Sequence, residues 1–194
     1  NNILYFDSYN NEFSNLTNEI KKLQNLNYLE FFGAKFDSIP SDIAYLNKLK
    51  TLKISSTNDT LKLPTTLRYL KFLKDVTIEN CVLDSFPKEL FKITSLNFLS
   101  LSNTNIFYIT KHFERLQNLE VLVLDNNHLQ TIPFEIYKAY KLRLLSLKNN
   151  HLQKLPDSIS QLENLTLLDV RGNGFSKEYI DELKALLPGC EIRF

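Results

Sequence analysis

Two cysteines, Cys81 and Cys190, and three histidines, His112, His128 and His151, are the residues of this chain that could bridge, hold a metal or act as nucleophile and base. His128 and His151 each sit in a copy of Asn-Asn-His-Leu-Gln, 23 residues apart. If each copy is one turn of a repeat, the two imidazoles are stacked neighbours within reach of a shared metal. No third ligand is indicated, so repetition of a surface turn is the simpler explanation, and no metal site is assigned. Three Asn-x-Thr triplets, at Asn15, Asn58 and Asn164, have the form of glycosylation acceptors. In so asparagine-rich a chain, coincidence accounts for them. There is no glycine-rich phosphate loop, no nucleophile elbow and no Cys/His pairing. The chain is read as non-enzymatic, and no cofactor is implied.

What positions these residues is a repeat. Leu119, Leu122, Leu124, Asn127, Leu129, Ile132, Pro133 and Ile136 recur 23 residues later as Leu142, Leu145, Leu147, Asn150, Leu152, Leu155, Pro156 and Ile159. Counting from the apolar residue that opens each copy, repeats begin at Ile3, Leu26, Leu49, Leu73, Leu96, Leu119, Leu142 and Leu165. All intervals are 23 residues except Leu49 to Leu73, which is 24, and the polar stretch Asn58-Asp59-Thr60 is where the extra residue can bulge outward. Self-similarity at such a period is the signature of a solenoid. In each copy the alternation around LVLD predicts a short half-buried strand. The segment TIPFEIYKAYK, with its proline, predicts a helical or 3₁₀ return. Strands so close in sequence can pair only in parallel, about 4.8 Å apart. A stack narrow along its strands and wide along its returns must curve, strands inside.

The pattern LxxLxLxxNxLxxIPxxI resembles the leucine-rich repeat, in its 23-residue form with a Leu/Ile-Pro step. The resemblance implies an α/β solenoid: a right-handed superhelix with parallel strands on the concave face and short helical or 3₁₀ returns on the convex face. It also implies that the ninth residue of each repeat (Asn11, Ala34, Thr57, Cys81, Thr104, Asn127, Asn150 and Asn173) ties neighbouring backbones together, with Ala34 a weak rung whose backbone groups water would have to satisfy. Residues 1–175 are assigned to eight repeats and 176–194 to a closing element within one continuous domain. In that element Ser176 is an N-cap candidate for a helix carrying Ile180, Leu183 and Leu187 on one face, Pro188-Gly189 ends it, and Glu191–Phe194 alternates as a last strand. Nothing comparable opens the chain, where Ser8 stands at a core position. An unpaired first strand invites aggregation, so more protein is expected before Asn1.

The register also decides the cysteines. Cys81 falls in the fourth repeat and Cys190 beyond the eighth, roughly 20 Å apart at the strand spacing, whereas bridged Cα atoms lie within about 7 Å. Both are expected to be free thiols. The cysteine-framed caps of many animal and plant extracellular relatives are absent, and a composition rich in Lys, Asn and Phe suits an AT-rich genome, which favours bacteria. Hydrophobic residues make up 43%, enough to fold, and 23 basic against 22 acidic residues give no general attraction to nucleic acid. No apolar run is long enough for membrane insertion. With no methionine the chain cannot begin at its own start codon, so it is a processed form or a fragment.

The variable strand positions carry the functional reading, because packing does not dictate them. At the first repeats Tyr5, Asp7, Tyr9, Tyr28, Glu30 and Phe32 combine aromatic anchors with negative charge. Across the later ones run Phe98, Val121, Val123, Leu144 and Leu167, flanked by Lys148 and Arg171. The first group is preferred as the source of affinity, and the second would suit an apolar partner with an acidic rim. The function expected is recognition of a protein partner on the concave face. The alternatives are a surface or secreted bacterial module binding host protein or carbohydrate, or the targeting arm of a larger enzyme or signalling protein. A secreted or surface location is favoured over the cytoplasm.

Overall fold

The structure, a computed structural model, describes residues 5–7, 18–34, 37–56, 60–83 and 85–194. Asn58 and Asp59 of the expected bulge lie outside them, as do Ile3, Ser8, Asn11, Asn15 and Thr57. Among the described residues one open parallel sheet runs in chain order. Its strands are β1 Tyr5–Asp7, β2 Tyr28–Ala34, β3 Thr51–Ser56, β4 Asp75–Glu79, β5 Phe98–Ser100, β6 Val121–Val123, β7 Leu144–Ser146, β8 Leu167–Asp169 and β9 Glu191–Arg193. The chain is a right-handed solenoid with this sheet on its concave face and 3₁₀ turns on its convex face.

Each turn of the solenoid follows from its sequence. Leu122 and Leu145, the central residues of β6 and β7, are in register and fully buried. Leu124, Leu129 and Ile136 complete that layer, also at 0% exposure, so each repeat's apolar set is covered only by its neighbours. The 3₁₀ turns Ser41–Tyr45, Thr65–Tyr69, Phe134–Lys138 and Asp157–Gln161 directly follow Pro40, Pro64, Pro133 and Pro156, whose extended ψ of 145 to 147° ends the preceding segment and aims the turn across the stack.

The ladder is complete where asparagine supplies it. Asn127 Oδ1 accepts from Thr104 N (3.2 Å) and Ile106 N (3.0 Å), while Nδ2 donates to Leu101 O (2.7 Å) and Leu124 O (3.0 Å). Asn150 bonds Leu129 N, Leu124 O and Leu147 O in the same way, and Asn173 bonds Leu152 N, Leu147 O and Val170 O. At Ala34, which offers no polar side chain, β2 runs on past a register shift after Phe32 and pairs with Ser56; the groups of the preceding repeat that a side chain here would meet lie outside the described residues. The strands β2 and β3 are longer, at seven and six residues, than β6 and β7, which precede Asn127 and Asn150 and have three.

One column was not anticipated. Asn80, Asn103, Asn126 and Asn149 have φ of 52 to 57°, and Gly172 follows them at 69°. These residues turn the chain off each strand, and asparagine and glycine are the types that tolerate this conformation. Their side chains form an outer ladder, with Asn103 Nδ2 donating to Asn80 Oδ1 (3.0 Å) and Asn149 Nδ2 to Asn126 Oδ1 (2.7 Å). At Gly172 a Cβ would lie 2.0 Å from Asn149 Oδ1, so a side chain there would require the Asn149 amide to turn aside.

At the C-terminus α1, Lys177–Leu186, begins with Ser176 Oγ accepting from Tyr179 N (3.2 Å). Cys81 and Cys190 are free thiols. Burial pushes the Cys81 thiol up to about 11, and burial raises Cys190 as well. A thiol so placed is protonated at neutral pH and slow to react. In the native protein, alkylation at pH 7 followed by mass spectrometry is expected to label Cys190 well before Cys81. Because the folded state holds the Cys81 proton more tightly than the unfolded state, that group's contribution to stability is present below pH 9 and is lost as pH rises towards 11. Native labelling of Cys81 as fast as in denaturant, or an intact mass two hydrogens light, would contradict this placement.

Candidate functional site

The concave face is built from every second residue of each strand, since alternate side chains leave opposite sides of the sheet. Register brings Phe98 beside Val121, Val121 beside Leu144 and Leu144 beside Leu167, so four half-buried apolar side chains make a continuous strip across β5 to β8. Asp75 precedes the strip in the same register and Glu191 follows it. Val123, also half-buried, stands one row over, opposite Ser100 and Ser146.

That second row holds an arrangement the sequence reading missed. Ser100, Asp125, Ser146 and Asp169 are buried although they belong to the face turned towards solvent. Ser146 Oγ donates to Asp125 Oδ1 (2.6 Å), Lys148 N donates to the same oxygen (3.0 Å), and Lys148 Nζ lies 3.1 Å from Asp125 Oδ2. Arg171 forks onto Asp169, Nε to Oδ1 at 3.0 Å and Nη2 to Oδ2 at 2.6 Å. Burial alone would raise the Asp169 carboxyl, but the hydrogen bonds and charge of Arg171 outweigh it and hold the group below the usual carboxylate range. Lys148 and Arg171 thus flank the strip as members of ion pairs, their side chains 36% and 51% exposed. The signal was available: Asp169 and Arg171 are two apart on one strand face, and Asp125 and Lys148 are one repeat apart.

The N-terminal group is placed less fully. Tyr9 lies outside the described residues. Tyr5 and Asp7 are in β1, but their side chains also lie outside them. On β2 the Tyr28 hydroxyl donates to Glu30, and Lys53 Nζ sits 5.4 Å from the Tyr28 ring centroid, so this aromatic and its carboxylate are engaged with neighbours. Phe32 is 39% exposed.

On the convex side Glu114, Tyr137, Tyr140, Gln161, Glu163 and Asn164 line a solvent-open groove of about 640 Å³. Among the described residues no group of three or more His, Cys, Asp or Glu side chains is arranged to hold a metal, and no helix is long and apolar enough to cross a membrane.

Strand, 3₁₀ return and asparagine ladder repeat together, and residues 117–175 match the family model described as Leucine rich repeat. The chain is a leucine-rich repeat protein. It is 29% identical to the Leptospira interrogans leucine-rich repeat protein LIC12759, with a TM-score of 0.61, over 97% of this chain and 60% of that one. It is likewise 29% identical to a chain in the PEPR1-AtPEP1 crystal structure, with a TM-score of 0.68, over 88% of this chain and 24% of that one. A Dictyostelium discoideum protein named probable inactive serine/threonine-protein kinase roco10 is 31% identical over 127 residues, which span 52% of this chain and 5% of that protein. The repeats thus cover a small part of that kinase-like relative and about three fifths of the Leptospira protein.

Proposed function

We propose that this leucine-rich repeat chain is a non-enzymatic recognition module that holds a protein partner on its concave face. The observation that carries the reading is the register-aligned strip Phe98, Val121, Leu144 and Leu167. Packing within a repeat does not require apolar residues at these positions, and contiguous apolar surface of this kind marks interaction sites. Beside it, the neutralised Asp125–Lys148 and Asp169–Arg171 pairs present a polar rim whose charges are already matched. A partner would therefore bring apolar side chains and little net charge. The pairing of PEPR1 with AtPEP1 in a similar structure supports the reading. The small share of the roco10 relative that the chain spans suits a recognition arm of a longer protein.

A random peptide-display selection on the whole chain tests this. Selected peptides should lose about thirtyfold in affinity, the equivalent of about 2 kcal/mol, on Phe98→Ala or Leu144→Ala, and keep it on Tyr140→Ala in the convex groove. A loss confined to Tyr28→Ala and Phe32→Ala would move the site to the N-terminal aromatics, as first expected. Loss on Tyr140→Ala alone would overturn a concave site. Capture of glycans but no peptides on an array would favour the carbohydrate alternative.

A further inference from the structure

His128 and His151 were read from sequence as a repeated surface turn, but their geometry is specific. His128 Nδ1 and His151 Nε2 are 3.3 Å apart, and the rings are stacked with centroids 5.5 Å apart at 23°. Phe107 stacks on His128 at 4.8 Å and 24°. The backbone beneath is fixed, since His128 N donates to Ile106 O (2.8 Å) and His151 N to Leu129 O (2.9 Å), and each histidine follows a buried ladder asparagine, Asn127 or Asn150. Two ligand nitrogens each ~2.0–2.1 Å from a tetrahedral ion lie about 3.3–3.4 Å apart, whereas neighbouring positions of a square-planar ion would bring them to about 2.9 Å.

We propose that His128 and His151 form a two-imidazole binding site for a divalent transition-metal ion, with Zn²⁺ the best geometric match. In the metal-bound form each ring would carry its single proton on the nitrogen facing away from the pair, His128 Nε2 and His151 Nδ1, leaving one lone pair on each inner nitrogen for the ion. Binding then needs a change of tautomer in whichever ring donates the present hydrogen bond, and a rotation of the exposed rings that turns the two inner lone pairs, which now face each other, towards the ion. The remaining positions are filled by water: Gly174, one repeat on from His151, brings no side chain, and Phe107 closes the other side with an apolar ring. The second imidazole binds intramolecularly, which is the source of any affinity beyond that of a single surface histidine.

The site is independent of the concave-face reading and is tested without a partner. Titrating zinc chloride into the whole chain by isothermal calorimetry should give one ion per molecule. His128→Ala and His151→Ala should each weaken binding about a hundredfold, while His112→Ala, which removes the remaining histidine, should leave it unchanged. Circular dichroism on each variant checks that the fold is retained. In long-range ¹⁵N spectra the two inner nitrogens should shift on adding zinc. No saturable binding, equal weakening by His112→Ala, or full binding by either single variant would overturn the site.

Discussion

Asn127→Ala is expected to destabilise the fold by about 3 kcal/mol or more, a larger effect than most single polar substitutions. The side chain is 2% exposed and bonds two backbone N–H groups and two carbonyls drawn from two repeats. Alanine leaves those groups buried, at about 1–3 kcal/mol for each that finds no replacement, and water entering the gap can recover only part of this. Asn173 performs the same task on the last rung but is half-exposed. Solvent can reach its partners, so Asn173→Ala should cost about 1 kcal/mol. Urea unfolding of both variants measures the contrast. Equal losses would mean that the ladder's strength does not come from burial.

The fold was legible because its signal is redundant. Leu122, Leu145 and Leu168 occupy one position in three consecutive repeats, and each reports the same core, so no single misreading could shift the register. The 3₁₀ returns were legible from Pro133 and Pro156 for the same reason. What was not legible is how the chain compensates where the pattern lapses. At Ala34, where the pattern offers no polar side chain, the strand shifts register after Phe32 before pairing with Ser56, and no residue type announces that shift. The left-handed residues Asn126 and Asn149 were hidden beside the ladder asparagines, although the matching Gly172 in the last repeat was a clue to their conformation.

The candidate site was less legible because it was read column by column, as though each exposed position were independent. Neighbouring strands stand only about 4.8 Å apart, close enough for Asp125 to take up Lys148 and for Ser146 to lie between their repeats. Arg171 is likewise spent on Asp169. The apolar strip differs because aliphatic and aromatic side chains have no polar partner to find, so register alone positions them. His128 and His151 show the reverse case. Sequence placed them as neighbours but could not give the separation of their nitrogens, which is the observation from which the metal site is proposed.

Ending the chain at Phe175 is expected to make it aggregate. Ile180, Leu183 and Leu187 are buried by the last repeat and in turn cover it, leaving Leu168 and Val170 at 0% and 1% exposure. Tyr179 adds a fixed point, its hydroxyl accepting from Leu155 N (2.8 Å) and donating to Leu155 O (3.1 Å). β9 pairs with β8 through Leu168 and Ile192, and Val170 N donates to Arg193 O at 2.8 Å. Truncation would therefore uncover a row of apolar side chains, each worth about 1.5–3 kcal/mol when fully buried, and also an unpaired strand edge, a combination that recruits further chains. Interior repeats have no such exposed end, which is why stacked repeats need a terminal element with a polar outer face. The truncated chain should elute as oligomers or aggregate by size exclusion with light scattering, and any monomer should melt about 10 °C or more below the full chain. A truncated protein that stayed monomeric and melted with the full chain would show that residues 176–194 decorate the stack rather than close it.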